Sequence, residues 1–168
     1  MPSSVSGISE TMREIEGIIT RTRTAVLERL CKVGEEAVKI QRRDHGYKDQ
    51  TGNLTSSIGY VVLDHGAVYR SSSFAPTPVK PDKEKGIKGG SGKDGSKVGR
   101  DLVSLLAQKY ATDDIALIVV AGMEYAEYVE AMALNVIDSA NAYVLGNAEA
   151  QVKKAVEAGL KAIQKKLR

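Results

Sequence analysis

One stretch of the chain has residue types that suit anion binding, the glycine- and lysine-rich segment from 83 to 97. Successive backbone N–H groups and lysine side chains are the groups that hold phosphate in many proteins. The nucleotide-binding P-loop, however, requires glycine, four residues, glycine, lysine and then serine or threonine. Here Asp94 follows Gly92-Lys93, and Ile87 stands where the first glycine belongs. The segment therefore does not match the P-loop pattern, and a solvated loop is the default interpretation.

The basic side chains of this region have a second, less specific use. They could face DNA phosphates or an acidic protein surface when several copies gather, through contacts that are nonspecific and salt-sensitive. The net charge of +3 is too small by itself to indicate a nucleic-acid-binding protein. The candidate contact residues are Lys80, Lys83, Lys85, Lys88, Lys93, Lys97 and Arg100.

Other residue types that serve catalysis lack the necessary neighbours. His45 and His65 each stand beside glycine in a turn sequence, with no second histidine or cysteine at metal-ligand spacing. Glu124, Glu127 and Glu130 recur every three residues, which clusters them on one side of a helix. A solvated face or a subunit contact explains such a cluster better than acid catalysis does. The serines have no nucleophile-elbow context, so we predict no enzyme activity, no cofactor and no metal site.

Hydrophobic spacing predicts the elements that position these residues. Apolar side chains from Ile8 to about Ile40 follow a helical period, and Asp44-His45-Gly46 is a plausible stop. This first helix would be roughly 50 Å long, so part of it should overhang a small sheet or meet a second subunit. The row Leu145, Ala148, Val152, Val156, Leu160, Ile163 and Leu167 predicts a final helix beside the first.

The shorter predicted elements are strands at 58–63, 67–72, 115–121 and 133–137, and helical segments at 101–110 and 125–132. Because the 115–121 run is apolar on both faces, it is expected to be a central strand covered by helices. The resulting fold class is α+β. We expect a small, mostly antiparallel sheet of about four strands, covered by long N-terminal and C-terminal helices.

Composition indicates one domain over 1–168, since 42% hydrophobic content is enough for a core. Prolines, glycines and lysines without apolar periodicity predict a flexible loop at about 74–100. A single cysteine, Cys31, excludes an internal disulfide and is consistent with a reducing compartment. No apolar run approaches the roughly 20 residues that span a bilayer, and the polar start lacks signal-peptide regions. We therefore expect no membrane partner.

Tyrosines follow the predicted 115–121 strand directly. Tyr125 and Tyr128 fall on one side of a helical turn, with Ala126 and Val129 on the other. Packing at the edge of the core is the simplest role, and tyrosine is also a common interface anchor because its ring is large and its tip polar. Both roles are compatible in an oligomer. The candidate subunit-interface residues are Tyr125, Tyr128 and Glu130.

Two short motifs and the order of the elements resemble a known family. The first is Thr51-Gly52-Asn53-Leu54 followed by Ser57-Ile58, and the second is Tyr125-Ala126 followed by Val129-Glu130. Together with a long first helix, a variable loop and a terminal helix, they resemble the tail-component family of tailed bacteriophages. These are the head-tail connector, neck or tail-completion proteins of lambda-like siphophages. The chain departs from the family pattern in lacking proline before Thr51-Gly52 and glycine after Glu130.

The resemblance implies a structural virion protein, made in the host bacterial cytoplasm, that forms a ring joining the portal to the tail. The implied partners are copies of itself, portal or head-completion proteins, and tail-terminator or tail-tube proteins, with nonspecific contact to packaged DNA. An alternative from a different class is a host- or plasmid-encoded nucleic-acid-binding protein that uses the basic loop 80–100.

Overall fold

The computed structural model describes residues 4–90, 92–111 and 114–168. Two long helices accompany a small sheet and three shorter helices, so the predicted α+β class is confirmed. In chain order the elements are α1 (Ser4–Asp44), α2 (Asn53–Ser57), β1 (Ile58–Asp64), β2 (Ala67–Ser71), α3 (Lys93–Lys109), β3 (Ile115–Ala121), α4 (Ala126–Ala131) and α5 (Asp138–Lys166).

The sheet of the described residues has three antiparallel strands in the order β2-β1-β3. The central strand is β1, which is buried from Ile58 to Leu63, and the predicted central run 115–121 is instead the edge strand β3. Side chains of β1 alternate between two core clusters. Tyr60 and Val62 lie in the cluster that includes α1, whereas Val61 and Leu63 pack with the cluster that includes α3. Helices therefore cover β1 on both faces.

The strand predicted at 133–137 does not form. Ala133 and Asn135 have φ of 56° and 53°, in the left-handed region that an extended strand cannot contain. The segment turns there, and the carbonyl of Leu134 accepts the Gly46 N–H at 2.9 Å. It thereby joins the end of α1 to the start of α5, and the sheet has three strands in the described part of the chain where about four were predicted.

Helices α1 and α5 pair in antiparallel fashion along most of their length. Lys166 Nζ lies 2.7 Å from Glu14 Oε1 at one end, and the Gln41 side chain accepts the Ala140 N–H at 3.0 Å at the other. The buried residues of α5 are small, Ala140, Ala155 and Gly159. Small residues allow the two helix backbones to approach closely.

The face of α5 that contacts α1 overlaps the predicted row only in part, since Ala148 and Val152 pack against the core but the large leucines do not. Leu145, Leu160 and Leu167 belong to that row but are 74%, 53% and 65% exposed. The helical period was correct, but the contact follows the small residues because large leucines would hold the helix axes apart. Within the residues described, no helix has both the length and the apolar character that crossing a bilayer requires.

The predicted loop 74–100 consists of two parts. Residues 93–100 form the first turns of α3, which begins after Gly92 in the left-handed conformation with φ of 63°. The remainder is folded back on itself by isolated backbone pairs between Val79 and Gly90 and between Asp82 and Ile87. The sequence pattern did not predict the start of α3, because glycines and lysines precede its first apolar side chain, Val98.

Candidate assembly site

The segment that carries the first motif is organised by one carboxylate. Asp49 Oδ1 accepts the Gly52 N–H at 2.8 Å, and Asp49 Oδ2 accepts the Thr55 N–H at 2.9 Å. The two donors are the N-cap residue and the third residue of α2, and Thr51 Oγ1 adds a weaker cap by accepting the Asn53 N–H at 3.4 Å. Sequence analysis missed this role, although an aspartate three residues before a glycine is a typical turn signal.

The two motifs lie against each other in the structure. The Gly122 N–H donates to the Ser57 carbonyl at 3.2 Å, and the Met123 N–H donates to Ser57 Oγ at 3.3 Å. Ser57 Oγ in turn donates to the Leu54 carbonyl at 2.8 Å. Segments separated by more than 60 residues in the chain thus share one buried serine, and we call this region the motif junction (Thr51–Ile58 with Gly122–Glu130).

Both ends of the loop are also attached to the motif junction. The Thr77 N–H donates to Ser56 Oγ at 2.8 Å, and the Gly92 N–H donates to the Thr51 carbonyl at 3.1 Å. Gly52 has φ of 79°, and a Cβ built there would lie 1.8 Å from the Thr77 carbonyl oxygen. Only glycine fits at this position, because both the backbone conformation and the close approach exclude a side chain.

Phe74, the only phenylalanine of the chain, anchors the start of the loop in the core. A Cβ built on Gly59 would lie 2.3 Å from its ring, and one built on Gly99 would lie 2.4 Å from it. The two glycines therefore make the space that the ring fills between β1 and α3. This anchor fixes the position from which the basic loop leaves the domain.

The predicted basic contact residues lie on two different elements. Lys80, Lys83, Lys85 and Lys88 are exposed on the loop, and Lys97 and Arg100 are exposed on α3, whereas nothing is described for the Lys93 side chain. Four acidic residues alternate with the seven basic ones between 80 and 101. One of them, Asp82, holds Lys85 Nζ at 3.4 Å. The surface is therefore of mixed sign, with a modest positive excess.

Lys48 adds to this surface and was missed by the sequence analysis. Its Nζ lies 3.7 Å from the position that a Cβ on Gly86 would occupy, so the ammonium group sits beside the loop tip. No local pattern could have found it, because 38 positions of the chain separate the two residues and only the loop's return over the motif junction brings them together.

The predicted interface residues divide into two groups. Tyr125 and Tyr128 are 43% and 69% exposed, and Tyr125 lines a groove of about 260 Å³ together with Tyr47. Partial burial raises the pKa of Tyr125. Glu130 instead points into its own chain, where its Oε2 accepts the N–H groups of Val136 and Ile137 ahead of α5.

Tyr47 fixes the floor of that groove. Its ring is buried, and its hydroxyl shares a hydrogen bond of 3.0 Å with Thr55 Oγ1. Burial raises the pKa of Tyr47 to about 12, since the charged phenolate would lose its hydration. The residue is a rigid support for the motif junction.

In the described part of the chain, one cluster has the composition of a metal site: Asp64, His65 and Asp114. Arg23 already occupies its centre. Its Nε donates to Asp64 Oδ1 at 3.0 Å, and its Nη2 donates to Asp114 Oδ1 at 2.7 Å. Hydrogen bonding to Arg23 lowers the pKa of Asp114. The cluster therefore works as an ion pair that ties α1 to the edge of the sheet, and a metal ion would have to displace the guanidinium.

Comparisons with protein-family models, with curated proteins and with solved structures each give no match to this chain.

Proposed function

We propose that this protein is a structural component of a tailed-bacteriophage virion, located at the head-tail junction, where copies form a ring between the portal and the tail. The order of the two motifs within the α+β arrangement carries the proposal. A role in assembly gives a reason for the motif junction, because its serine and glycine contacts hold the loop and α4 at fixed positions. A subunit that must match its neighbours on several sides needs surfaces held rigidly in this way.

Two further features support assembly. Helix α1 has 41 residues, about 60 Å, and although α5 packs along most of it, Ile8, Met12 and Ile19 remain exposed. Tyr125 and Tyr128 are exposed rings of the motif junction, and aromatic anchors are enriched in protein interfaces. The partners proposed are further copies, portal or head-completion proteins, and tail-terminator or tail-tube proteins.

Electron microscopy of particles made without this protein tests the function. A nonsense mutation in its gene, in the phage or prophage that carries it, is expected to yield separate heads and tails, and supplying the wild-type gene in trans restores joined particles. Infectious particles of normal shape in the absence of the protein would refute the proposal.

A nucleic-acid-binding protein is the second candidate, favoured by the exposed lysines of the loop. Filter binding of duplex DNA over a salt series separates the two. A junction subunit binds weakly as a single copy, whereas a true DNA binder holds duplex DNA with a steep salt dependence. Replacing Lys80, Lys83, Lys85 and Lys88 by alanine then reduces the slope by about 0.9 for each lost phosphate contact.

A further inference from the structure

An apolar groove of about 650 Å³ lies over β3, between α3, α4 and the residues that precede α5. Its apolar walls include Leu102, Leu106, Ile118, Ala126, Val136 and Ile137. Glu127 and Glu130 add two carboxylates. Glu130 Oε1 is buried and has no hydrogen-bond partner among the described residues. The exposed carboxylate of Glu127 beside apolar walls favours an occupant that is itself apolar and carries a cation.

A matching surface lies at the far end of the same molecule. Val156, Leu160, Ile163 and Leu167 recur at intervals of four, three and four on α5, which places them on one helix face. Leu160 and Leu167 are exposed, and Met12 and Ile19 of α1 are exposed as well. The ion pair between Lys166 and Glu14 brings this part of α1 alongside the end of α5. We call the exposed apolar residues of this region the terminal stripe (Met12, Ile19, Val156, Leu160 and Leu167).

Acidic and basic residues are also segregated along the chain. Residues 110–152 contain seven acidic residues and no lysine, arginine or histidine, whereas residues 153–168 contain six basic residues and one acidic residue. The β3, α4 and pre-α5 walls of the groove belong to the acidic stretch, and the α5 part of the terminal stripe belongs to the basic one. Opposite potentials on two apolar surfaces steer them together and disfavour pairing of like surfaces.

The two surfaces cannot meet within one copy. Val136 and Ile137 of the groove immediately precede α5, and the terminal stripe lies at the other end of this helix of 29 residues. A helix of that length spans about 43 Å. Two different, complementary surfaces on one molecule give a head-to-tail contact, which closes into a ring or continues as a filament.

We propose that the terminal stripe of one copy docks in the apolar groove of the next, with the lysines of the α5 end facing the exposed Glu127. This contact rests on the assembly function proposed above and supplies the interface by which the ring is built. The occupant of the groove is thus a second copy of this chain.

Sedimentation velocity on designed variants tests the contact. The stripe variant is Leu160→Glu with Leu167→Glu, and the groove variant is Ala131→Arg, at an exposed position in the groove wall. Each alone is expected to weaken self-association roughly tenfold or more. The matched control, Leu145→Glu, changes a leucine of the same helix that is more exposed but outside the terminal stripe, and it should associate like wild type.

Mixing the two variants gives the sharper result. A stripe-variant copy retains a good groove, and a groove-variant copy retains a good stripe, so the mixture forms one-to-one dimers that grow no further. A contact between two like surfaces instead leaves one of the two variants self-associating like wild type and gives no one-to-one pairing of the two variants, and this result overturns the proposal. So does a wild-type protein that stays monomeric up to about 1 mM, the range of the weakest specific contacts. If Ala131→Arg lowers the Tm, Glu127→Lys replaces it as the groove variant.

The proposed contact and the proposed function can fail independently of each other. One-to-one dimers in the mixture, together with normal particles in the absence of the protein, support the contact and refute the junction role. Absence of dimers, together with unjoined heads and tails, refutes the contact and leaves the junction role supported.

Discussion

The same substitution at two glycines of α5 is expected to change stability in opposite directions. Gly146 and Gly159 both lie inside this helix. A Cβ on Gly146 would meet nothing within 4 Å, whereas a Cβ on Gly159 would lie 2.2 Å from Thr22 Oγ1 and 2.8 Å from Thr22 Cγ2. Local helix propensity is the same at both sites, so any difference in effect reports the packing of α5 against α1.

The magnitude follows from two terms. Replacing glycine by alanine inside a helix stabilises by about 0.8–1.0 kcal/mol, which is the whole expected effect at Gly146. At Gly159 the same gain is opposed by overpacking against a β-branched side chain, which costs about 1–3 kcal/mol. Gly159→Ala is therefore expected to lie about 1–3 kcal/mol below Gly146→Ala in the free energy of unfolding.

Urea unfolding followed by circular dichroism measures both variants against wild type. Adding Thr22→Ala to Gly159→Ala removes both clashing atoms, so the double variant should recover part of the loss, with a coupling energy of about 0.5–3 kcal/mol. Gly159→Ala that stabilises as much as Gly146→Ala would refute the close approach of the two helices.

Three further predictions concern the motif junction and its supports. Phe74→Ala should lower the free energy of unfolding by about 3–5 kcal/mol, because alanine would leave a cavity where the buried ring packs on Gly59 and Gly99; a loss below about 1 kcal/mol in urea titrations would contradict the anchor. Asp49→Ala should cost about 1–2 kcal/mol through the lost caps of α2, and Asp49→Asn, which keeps one acceptor, should cost less; equal losses would contradict capping. Because the folded-state pKa of Tyr47 is about 12 against 10.0 unfolded, the folded state binds more protons, so stability should fall as pH rises from 10.0 towards 12. Tyr47→Phe should remove that part of the pH dependence in urea titrations, and an unchanged profile would count against the buried phenol.

Local patterns predicted the elements whose signals lie close together in the chain. The period of apolar residues in α1 and the alternation around the turn at 64–66 needed no distant partner, and both elements form as expected. The start of α3 was missed because its first turns are polar and glycine-rich, and they are held by the close approach of Gly95 to Asn53 and of Gly99 to Phe74. Tertiary contacts override weak local propensity in such segments.

The candidate assembly site likewise combines features that were visible in the sequence with contacts that form only on folding. The residue types of the two motifs were visible in the sequence, but their contact through Ser57 depends on the pairing of β1 with β3. Glu130 at a subunit contact stays a prediction, and the turn at 133–137 brings two N–H groups to one of its oxygens. Neither relation leaves a periodic signal, because each depends on groups that meet only after folding.

The sequence by itself determined the fold class, the two long helices, the β1–β2 hairpin and the segregation of acidic and basic residues, since composition and short-range spacing carry that information. Tertiary structure alone decided which face of α5 is buried, which strand is central, and that an apolar groove and an apolar stripe lie at opposite ends of the molecule. The physical reason is that whether a side chain is buried depends on the surface that packs against it. A leucine on a helical row is apolar in any context, but only the approach of small residues to α1 determines whether it is covered or exposed.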